Sequence, residues 1–271
     1  MDMDFYLYWE EFIDTWNSIQ CNQPSGKELS EDGYRGWTNP DSLLYNNSKT
    51  RDLASSYIPE PWWGNDGSQP LHSVVVNFNP GVGGEEQRHG VIPYQTSYSK
   101  EIVLNGNILP LTAAWHWKYR GKPILEALKR NGYITSYQGL QNHLSIELIP
   151  WHTYGVDRNY WKYLEQNTKE VFEHAILFAA HESHRIVNDK LRDVVILRTG
   201  EKATERLIKC LATIGIHCVM ASPEKSYVGD AGKSIEFKIQ EVPDVRFVSV
   251  WGTHSRNHFP VAILDNIIKF I

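Results

Sequence analysis

The sequence predicts an α/β fold, a three-layer sandwich with a central, mostly parallel sheet of four or five strands and a helical N-terminal extension. Two observations predict this fold. From residue 72 onward, short runs of β-branched and apolar residues alternate with longer stretches at helical spacing. The 271 residues also contain no internal repeat or clear linker, so we expect one domain over residues 1–271, with 1–71 as the extension.

The extension combines a helix with a long irregular segment. Aromatic residues recur at helical spacing over residues 4–20 and predict an amphipathic helix that packs on the domain. Residues 21–71 are rich in Gly, Pro, Ser, Asn and Asp and predict irregular structure, with a helix near 41–55. Residues 59–64 contain two prolines and two adjacent tryptophans, which cannot easily both face inward. We interpret this stretch as a structural strap rather than a binding edge.

The regular elements follow from apolar pattern and from their stop signals. Strands are predicted at residues 72–78, 143–149, 193–197, 216–221 and 245–250, with a small ribbon near 234–240. Helices are predicted at residues 121–131, 158–190, 201–214 and 259–270. Asn131-Gly132 ends the first of these helices. Residues 90–120 give no clear pattern.

Composition excludes several classes of function. Hydrophobic content of 41% and charged content of 22% are typical of a soluble globular protein. A net charge of −5 argues against non-specific binding of a phosphate backbone by overall charge, although a local basic groove is compatible with it. No apolar run is long enough to cross a membrane, and three cysteines without close pairing indicate a reducing compartment. We therefore expect a cytoplasmic protein with no membrane partner.

No cofactor or metal site is predicted. The chain has no phosphate-binding loop with a following Lys and no spaced glycine fingerprint at a strand-to-helix turn. His181 and His184 lie three residues apart on a predicted helix, but no third ligand follows at a useful spacing.

The candidate functional residues gather where predicted strands end. The first strand ends at Asn79-Pro80-Gly81, which stops it abruptly, and the glycines that follow leave bare backbone for a ligand to approach. Glu147 lies near the end of the second strand, and His254 follows the last. Because parallel strands place their carboxyl ends on one edge of a sheet, we expect these loops to form one pocket.

These motifs and their order resemble the uracil-DNA glycosylase superfamily. The chain reads Asn-Phe-Asn-Pro-Gly after the first strand, Glu-Leu-Ile-Pro-Trp-His-Thr in the second, and Gly-Thr-His-Ser-Arg-Asn after the last. The first motif is most similar to the mismatch-specific thymine/uracil branch, and the likeness covers about residues 72–265. The resemblance implies a DNA glycosylase that hydrolyses the N-glycosidic bond of a flipped, damaged or mismatched base, with DNA or another nucleobase-containing ligand as its partner.

The resemblance also implies roles for particular residues. Asn79 and His254 would be catalytic: Asn79 holds the attacking water and His254 stabilises charge on the departing base. The substrate-binding set would be Asn77, Pro80, Gly81, Glu147, Ser255, Arg256 and Asn257. Glu147 stands where the family has a base-reading Asn, and Asn77 where it has Gly. An ionised Glu only accepts hydrogen bonds, so it suits an amino group better than the carbonyl edge of uracil.

Two alternatives remain open from the sequence. The same fold can bind a nucleobase, a nucleotide or a single strand without catalysis, in which case Arg88, Arg158 and Arg256 are candidate phosphate contacts. The pocket can also serve another small molecule, since a fold does not determine a function.

Overall fold

A mixed sheet flanked by helices forms the body of the molecule. The computed structural model describes residues 5, 7–9, 11, 12, 61–65, 67, 69–78, 117–150, 169–188, 190–198, 201–226, 233–251 and 261–270. The strands are β1 (Trp62–Gly64), β2 (Ser73–Asn77), β3 (His143–Glu147), β4 (Val194–Arg198), β5 (Cys218–Ser226), β6 (Lys233–Ile239) and β7 (Arg246–Trp251). The helices are α1 (Lys122–Arg130), α2 (Lys169–Ser183), α3 (Glu201–Thr213) and α4 (Val261–Phe270). A π-helical turn (Trp117–Gly121) precedes α1, and a 3-10 turn (Leu140–Asn142) precedes β3.

The α/β class is confirmed, but the prediction of four or five strands is wrong. Within the described parts of the chain, seven strands form one sheet in the spatial order β1-β3-β2-β4-β7-β6-β5. Strands β3, β2, β4 and β7 run parallel to their neighbours in this order, whereas β1, β6 and β5 are added antiparallel at the two edges. The sheet has more strands than predicted for two reasons. Strand β1 has only three residues, which is too short for a clear pattern, and β6 pairs with both β5 and β7, so the predicted ribbon is part of the main sheet.

Helices cover both faces of the sheet. Arg120, in the π-helical turn before α1, reaches Glu147 of β3, whereas Thr204 of α3 bonds Ser249 of β7. Glu147 and Arg198 are both in register with the same residue of β2, so their side chains point to one face of the sheet. Ser249 is in register with Leu197, the neighbour of Arg198 in β4, so its side chain points to the other face. Since consecutive residues of a strand point to opposite faces, the π-helical turn and α3 lie on opposite sides of the sheet. Helical elements therefore contact the parallel strands from both sides of the sheet.

The two adjacent tryptophans of β1 correct another expectation. Trp62 and Trp63 are both fully buried, although they point to opposite faces of the edge strand. Trp62 belongs to the hydrophobic core, and the Trp63 ring lies 5.2 Å from the His143 ring. Both can be buried because protein covers this edge strand on each face. The stretch is thus part of the sheet and not a strap laid over it.

The N-terminal segment and the remaining helices agree with the predicted pattern where they are described. The described positions 5, 7–9, 11 and 12 are helical, and Phe5, Trp9 and Phe12 are buried. The Phe5 ring contacts Phe178 of α2, so the aromatic face packs on the domain as expected. The predicted helix near 41–55 and the first part of the predicted helix at 158–190 lie outside the described residues. None of the described helices is long and apolar enough to cross a membrane.

Candidate functional site

The order of the four parallel strands creates a switch point between β2 and β4. The chain passes from β2 to β3 on one side and then returns to form β4 on the other side of β2. In open α/β sheets the crevice outside the carboxyl ends of the strands, at the point where the order reverses, is the usual ligand site. Asn77 and Arg198, the last residues of β2 and β4, face each other in register there.

Three polar side chains form a row across this end of the sheet. Asn77 is in register with Glu147 of β3 on one side and with Arg198 of β4 on the other. Because residues in register on parallel strands point to the same face, all three side chains project together. Asn77 donates from Nδ2 to Glu147 Oε1 over 3.2 Å and to Ser145 Oγ over 2.5 Å. The row is therefore bonded across β2 and β3.

A buried ion pair fixes the acidic member of the row. Arg120 Nη1 donates to Glu147 Oε1 over 3.0 Å, and Glu147 is fully buried. Arg120 is only 8% exposed, and the π-helical turn that carries it is wider than an α-helical turn. A guanidinium at this distance favours the ionised carboxylate. Glu147 therefore presents acceptors only.

Arg198 brings a second positive charge to the same face. Burial lowers the pKa of its guanidinium, the nearby charge of Arg120 lowers it further, and the Glu147 carboxylate opposes both effects. Arg198 nevertheless remains charged at neutral pH, because the pKa of an arginine starts well above that range. Among the described residues, Arg120, Glu147 and Arg198 are the ionised groups of this row.

A neutral histidine lies further along β3 on the same face. His143 is fully buried, and its Nδ1 lies 2.6 Å from Ser73 Oγ. Burial and the charge of Arg120 lower the pKa of His143 to about 3. A Cβ at Gly121 would lie 3.1 Å from His143 Cδ2, so the π-helical turn packs closely on the ring. His143 is therefore buried in its neutral form at the amino end of β3.

The buried His143 makes folding stability depend on pH. Unfolded His143 titrates near 6.5 and the folded residue near 3, so the unfolded chain binds more protons between these values. As pH falls from 6.5 towards 3, we expect this residue to raise the unfolding equilibrium constant by roughly tenfold per pH unit. Urea denaturation at a series of pH values measures this slope.

Variants isolate the contribution of His143. Between pH 6 and 5, unfolding of His143→Gln should take up about one proton fewer than unfolding of the wild type, and the pH dependence of its stability should be weaker by that amount. The exposed His217 provides the control, and His217→Gln should retain the wild-type slope. Equal slopes for wild type and His143→Gln would contradict the buried neutral histidine, whatever the absolute stability of the variant.

The predicted site residues fall into two groups. Asn77 and Glu147 lie together at the carboxyl ends of β2 and β3. The other predicted residues, Asn79, Pro80, Gly81, His254, Ser255, Arg256 and Asn257, lie outside the described residues. The three strands that carry or precede these residues, β2, β3 and β7, run in the same direction within the sheet, which is the arrangement that the sequence predicted for the strands themselves.

Sequence reasoning missed Arg120, Ser145 and Arg198. Ser145 had a signal, because His143, Ser145 and Glu147 alternate with apolar residues and so mark one polar face of β3. Arg198 also had one, as the charged residue that ends the run Val-Val-Ile-Leu. Arg120 had none, since its role depends on a π-helical turn that no periodicity indicates.

Each of the two helical histidines contacts a carboxylate. His181 Nδ1 lies 3.0 Å from Glu182 Oε1, and His184 Nδ1 lies 2.8 Å from Asp193 Oδ1. No cluster of three or more His, Cys, Asp or Glu able to hold a metal ion occurs in the part of the chain that the structure describes.

Fold and site together define an α/β protein with a polar, partly buried cluster at the switch point of its parallel strands. Comparison with known protein families finds no family model that matches the chain, and comparison with curated proteins finds no match.

Proposed function

We propose that the protein is a DNA glycosylase-like hydrolase that cleaves the N-glycosidic bond of a flipped base. The observation that carries the proposal is the register of Asn77 with Glu147. These residues belong to two motifs some 70 positions apart, and their side chains are bonded to each other at the edge where the resemblance requires both motifs. Asn79 and His254, which follow β2 and β7 in the sequence, would act on the water and on the departing base.

The ionised state of Glu147 affects which base the site can bind. Arg120 favours the carboxylate, which accepts hydrogen bonds and repels a carbonyl edge. The substrate is then a base whose edge presents an amino group, or a damaged or mispaired base held by backbone contacts, and uracil itself is disfavoured. Mispaired or damaged bases also leave the duplex at the smallest cost in free energy.

Cleavage of modified oligonucleotides tests the proposal. Duplexes carrying uracil, hypoxanthine, xanthine, a mismatched thymine or a mismatched cytosine, whose edge presents an amino group, are incubated with the protein, and abasic product is measured after alkaline strand scission. We expect product from at least one non-uracil substrate. His254→Ala should lower the rate on the order of 10²-fold, the effect of removing one donor to a developing charge.

A matched histidine keeps this test specific. His217 is exposed, and His217→Ala should retain the wild-type rate. Absence of abasic product with every substrate, from a folded protein, would refute hydrolysis.

A binding protein without catalysis is the second candidate. Glu147 is fully buried and already accepts hydrogen bonds from both Asn77 and Arg120 on one oxygen. A carboxylate engaged in this way holds the site together and contributes less to reading a base. Retention of an oligonucleotide without turnover, with affinity unchanged in Asn79→Ala, would favour this candidate over hydrolysis.

A further inference from the structure

A cleft of about 470 Å³ opens at the amino end of β3, away from the candidate site. The described residues that line it are Trp117, Tyr137, Gln138, Gly139 and Leu140. Leu140 begins the 3-10 turn that leads into β3, whereas Glu147 ends that strand. A strand rises roughly 3.3 Å per residue, so the length of β3, about 13 Å, separates the cleft from Glu147. The volume of the cleft lies in the range of small-molecule sites, about 300 to 1,000 Å³.

Two aromatic rings form one corner of the cleft. The ring centroids of Trp117 and Tyr137 lie 6.1 Å apart, and the ring planes make an angle of 65°. Both side chains are partly exposed. A flat ring that stacks on one of them meets the other at a steep angle, and both are favourable arrangements of aromatic pairs. The corner therefore favours a flat aromatic ligand over an aliphatic chain.

A buried side chain holds the Tyr137 side of the corner in place. Asn142 is 3% exposed, and its Oδ1 accepts the N–H of Gln138 over 2.5 Å. Asn142 Nδ2 donates to the carbonyl oxygen of Pro70 over 2.7 Å, and the Asn142 N–H donates to the carbonyl oxygen of Gly139 over 3.2 Å. The segment is thus anchored to the chain before β2. A preformed site loses less conformational entropy when a ligand binds.

Close packing at Gly121 holds the Trp117 side of the corner. A Cβ at Gly121 would lie 3.1 Å from Cε3 of Trp117 and 3.1 Å from Cδ2 of His143. His143 is fully buried, so the Trp117 ring packs over a part of the molecule that cannot easily move. The angle between the two rings of the corner is therefore set by the fold.

Polar groups accompany the two rings. The indole N–H of Trp117 and the hydroxyl of Tyr137 are hydrogen-bond donors. Gly139 has a φ of +126°, and a Cβ there would meet no described atom within 4 Å, so a ligand can approach its backbone closely. Donors beside flat ring faces suit a ligand that carries acceptors in its own plane.

We propose that this cleft binds a flat heteroaromatic ring with hydrogen-bond acceptors, of the nucleobase type, stacked in the corner of Trp117 and Tyr137. The two rings supply the stacking surface, and their N–H and O–H groups supply donors to ring nitrogen or carbonyl acceptors. The inference goes beyond the proposed hydrolysis and does not rest on it, because the cleft lies at the other end of β3.

Nucleosides are the probes. Adenosine and uridine are titrated calorimetrically into the full chain, and saturation-transfer NMR compares their base and ribose protons. We expect saturable binding with the stronger transfer at the base protons. Trp117→Ala and Tyr137→Ala should each weaken binding at least about fivefold, the effect of losing one ring that stacks on a base. Tyr137→Phe keeps the ring and should retain most of the affinity.

An exposed apolar residue supplies the control. Met220 is 52% exposed on β5, at the edge of the sheet remote from β3, and Met220→Ala should bind nucleosides as the wild type does. The proposal is overturned if the wild type binds neither nucleoside, or if methyl glucoside, which has no flat ring, binds as tightly. Wild-type affinity in both alanine variants would overturn it as well.

A variant at the other end of the strands separates the cleft from the candidate site. Asn79→Ala, which removes a residue of the proposed hydrolysis, should leave nucleoside binding at the cleft unchanged. Affinity that falls in Asn79→Ala and not in Trp117→Ala would mean that the nucleoside binds near the strand ends, and the proposal would then be wrong. Base release that persists in Trp117→Ala would leave the proposed hydrolysis standing, whatever the result for the cleft.

Discussion

Replacing Glu147 by Gln is expected to destabilise the fold by about 3 to 5 kcal/mol, the cost of breaking a buried ion pair. Glu147 is fully buried, and its Oε1 lies 3.0 Å from Arg120 Nη1. The neutral amide removes the negative charge that faces the buried guanidinium of Arg120 and so weakens this interaction. Arg198 adds a further positive charge to the same face, so the substitution removes a favourable electrostatic interaction with two guanidinium groups. Urea denaturation at neutral pH measures the free energy of unfolding.

An exposed ion pair supplies the comparison. Glu126 pairs with Lys122 on the surface of α1 at 3.7 Å, and its side chain is 45% exposed. Glu126→Gln should change the free energy of unfolding by no more than about 0.5 kcal/mol. A loss for Glu147→Gln as small as that of this control would show that the buried pair does not hold β3 to the π-helical turn.

A double substitution distinguishes electrostatic from packing effects. Arg120→Met with Glu147→Leu removes both charges and keeps apolar volume, so it should recover much of the stability lost in Glu147→Gln. Such a variant would fold without the Arg120–Glu147 ion pair at the switch point. If the cluster serves a ligand, this stable variant should fail to bind it, which separates the contribution of the cluster to function from its contribution to the fold.

The parallel core could be predicted from the sequence because its signals are local. Val74, Val75 and Val76 form a buried strand, and Asn131-Gly132 ends α1 where the turn chemistry indicates. The antiparallel edges could not be predicted in the same way. Strand β1 is three residues long, and its two tryptophans are buried by elements distant in the chain.

The residues of the candidate site also differ in whether a local sequence signal identifies them. Asn77 and Glu147 could be identified because each lies where a strand ends, and strand ends are visible in sequence. Arg120 lies 27 positions from Glu147, and only the path of the π-helical turn brings the two together. Local patterns thus predict which residues lie where the strands end. A charged side chain contributed by a different element, such as Arg120, can be identified only from the folded structure.

Gly64→Ala is expected to cost about 4 kcal/mol, combining backbone strain with a steric clash. Gly64 has a φ of +110°, which L side chains rarely adopt, and a Cβ there would lie 2.0 Å from the carbonyl oxygen of His143. That oxygen also accepts the N–H of Asn65 at 2.8 Å, so it cannot move away without loss of a buried hydrogen bond. The substitution therefore separates β1 from β3 and disturbs the strand that carries Glu147.

Gly132 separates the clash from the strain in this prediction. Its φ is +74°, and a Cβ there would meet nothing within 4 Å, so Gly132→Ala should cost only about 1 kcal/mol. Denaturant unfolding of both variants measures the difference. Equal losses would mean that β1 can move away from His143 at little cost, and the close approach of the two strands would then not be needed to hold the edge of the sheet.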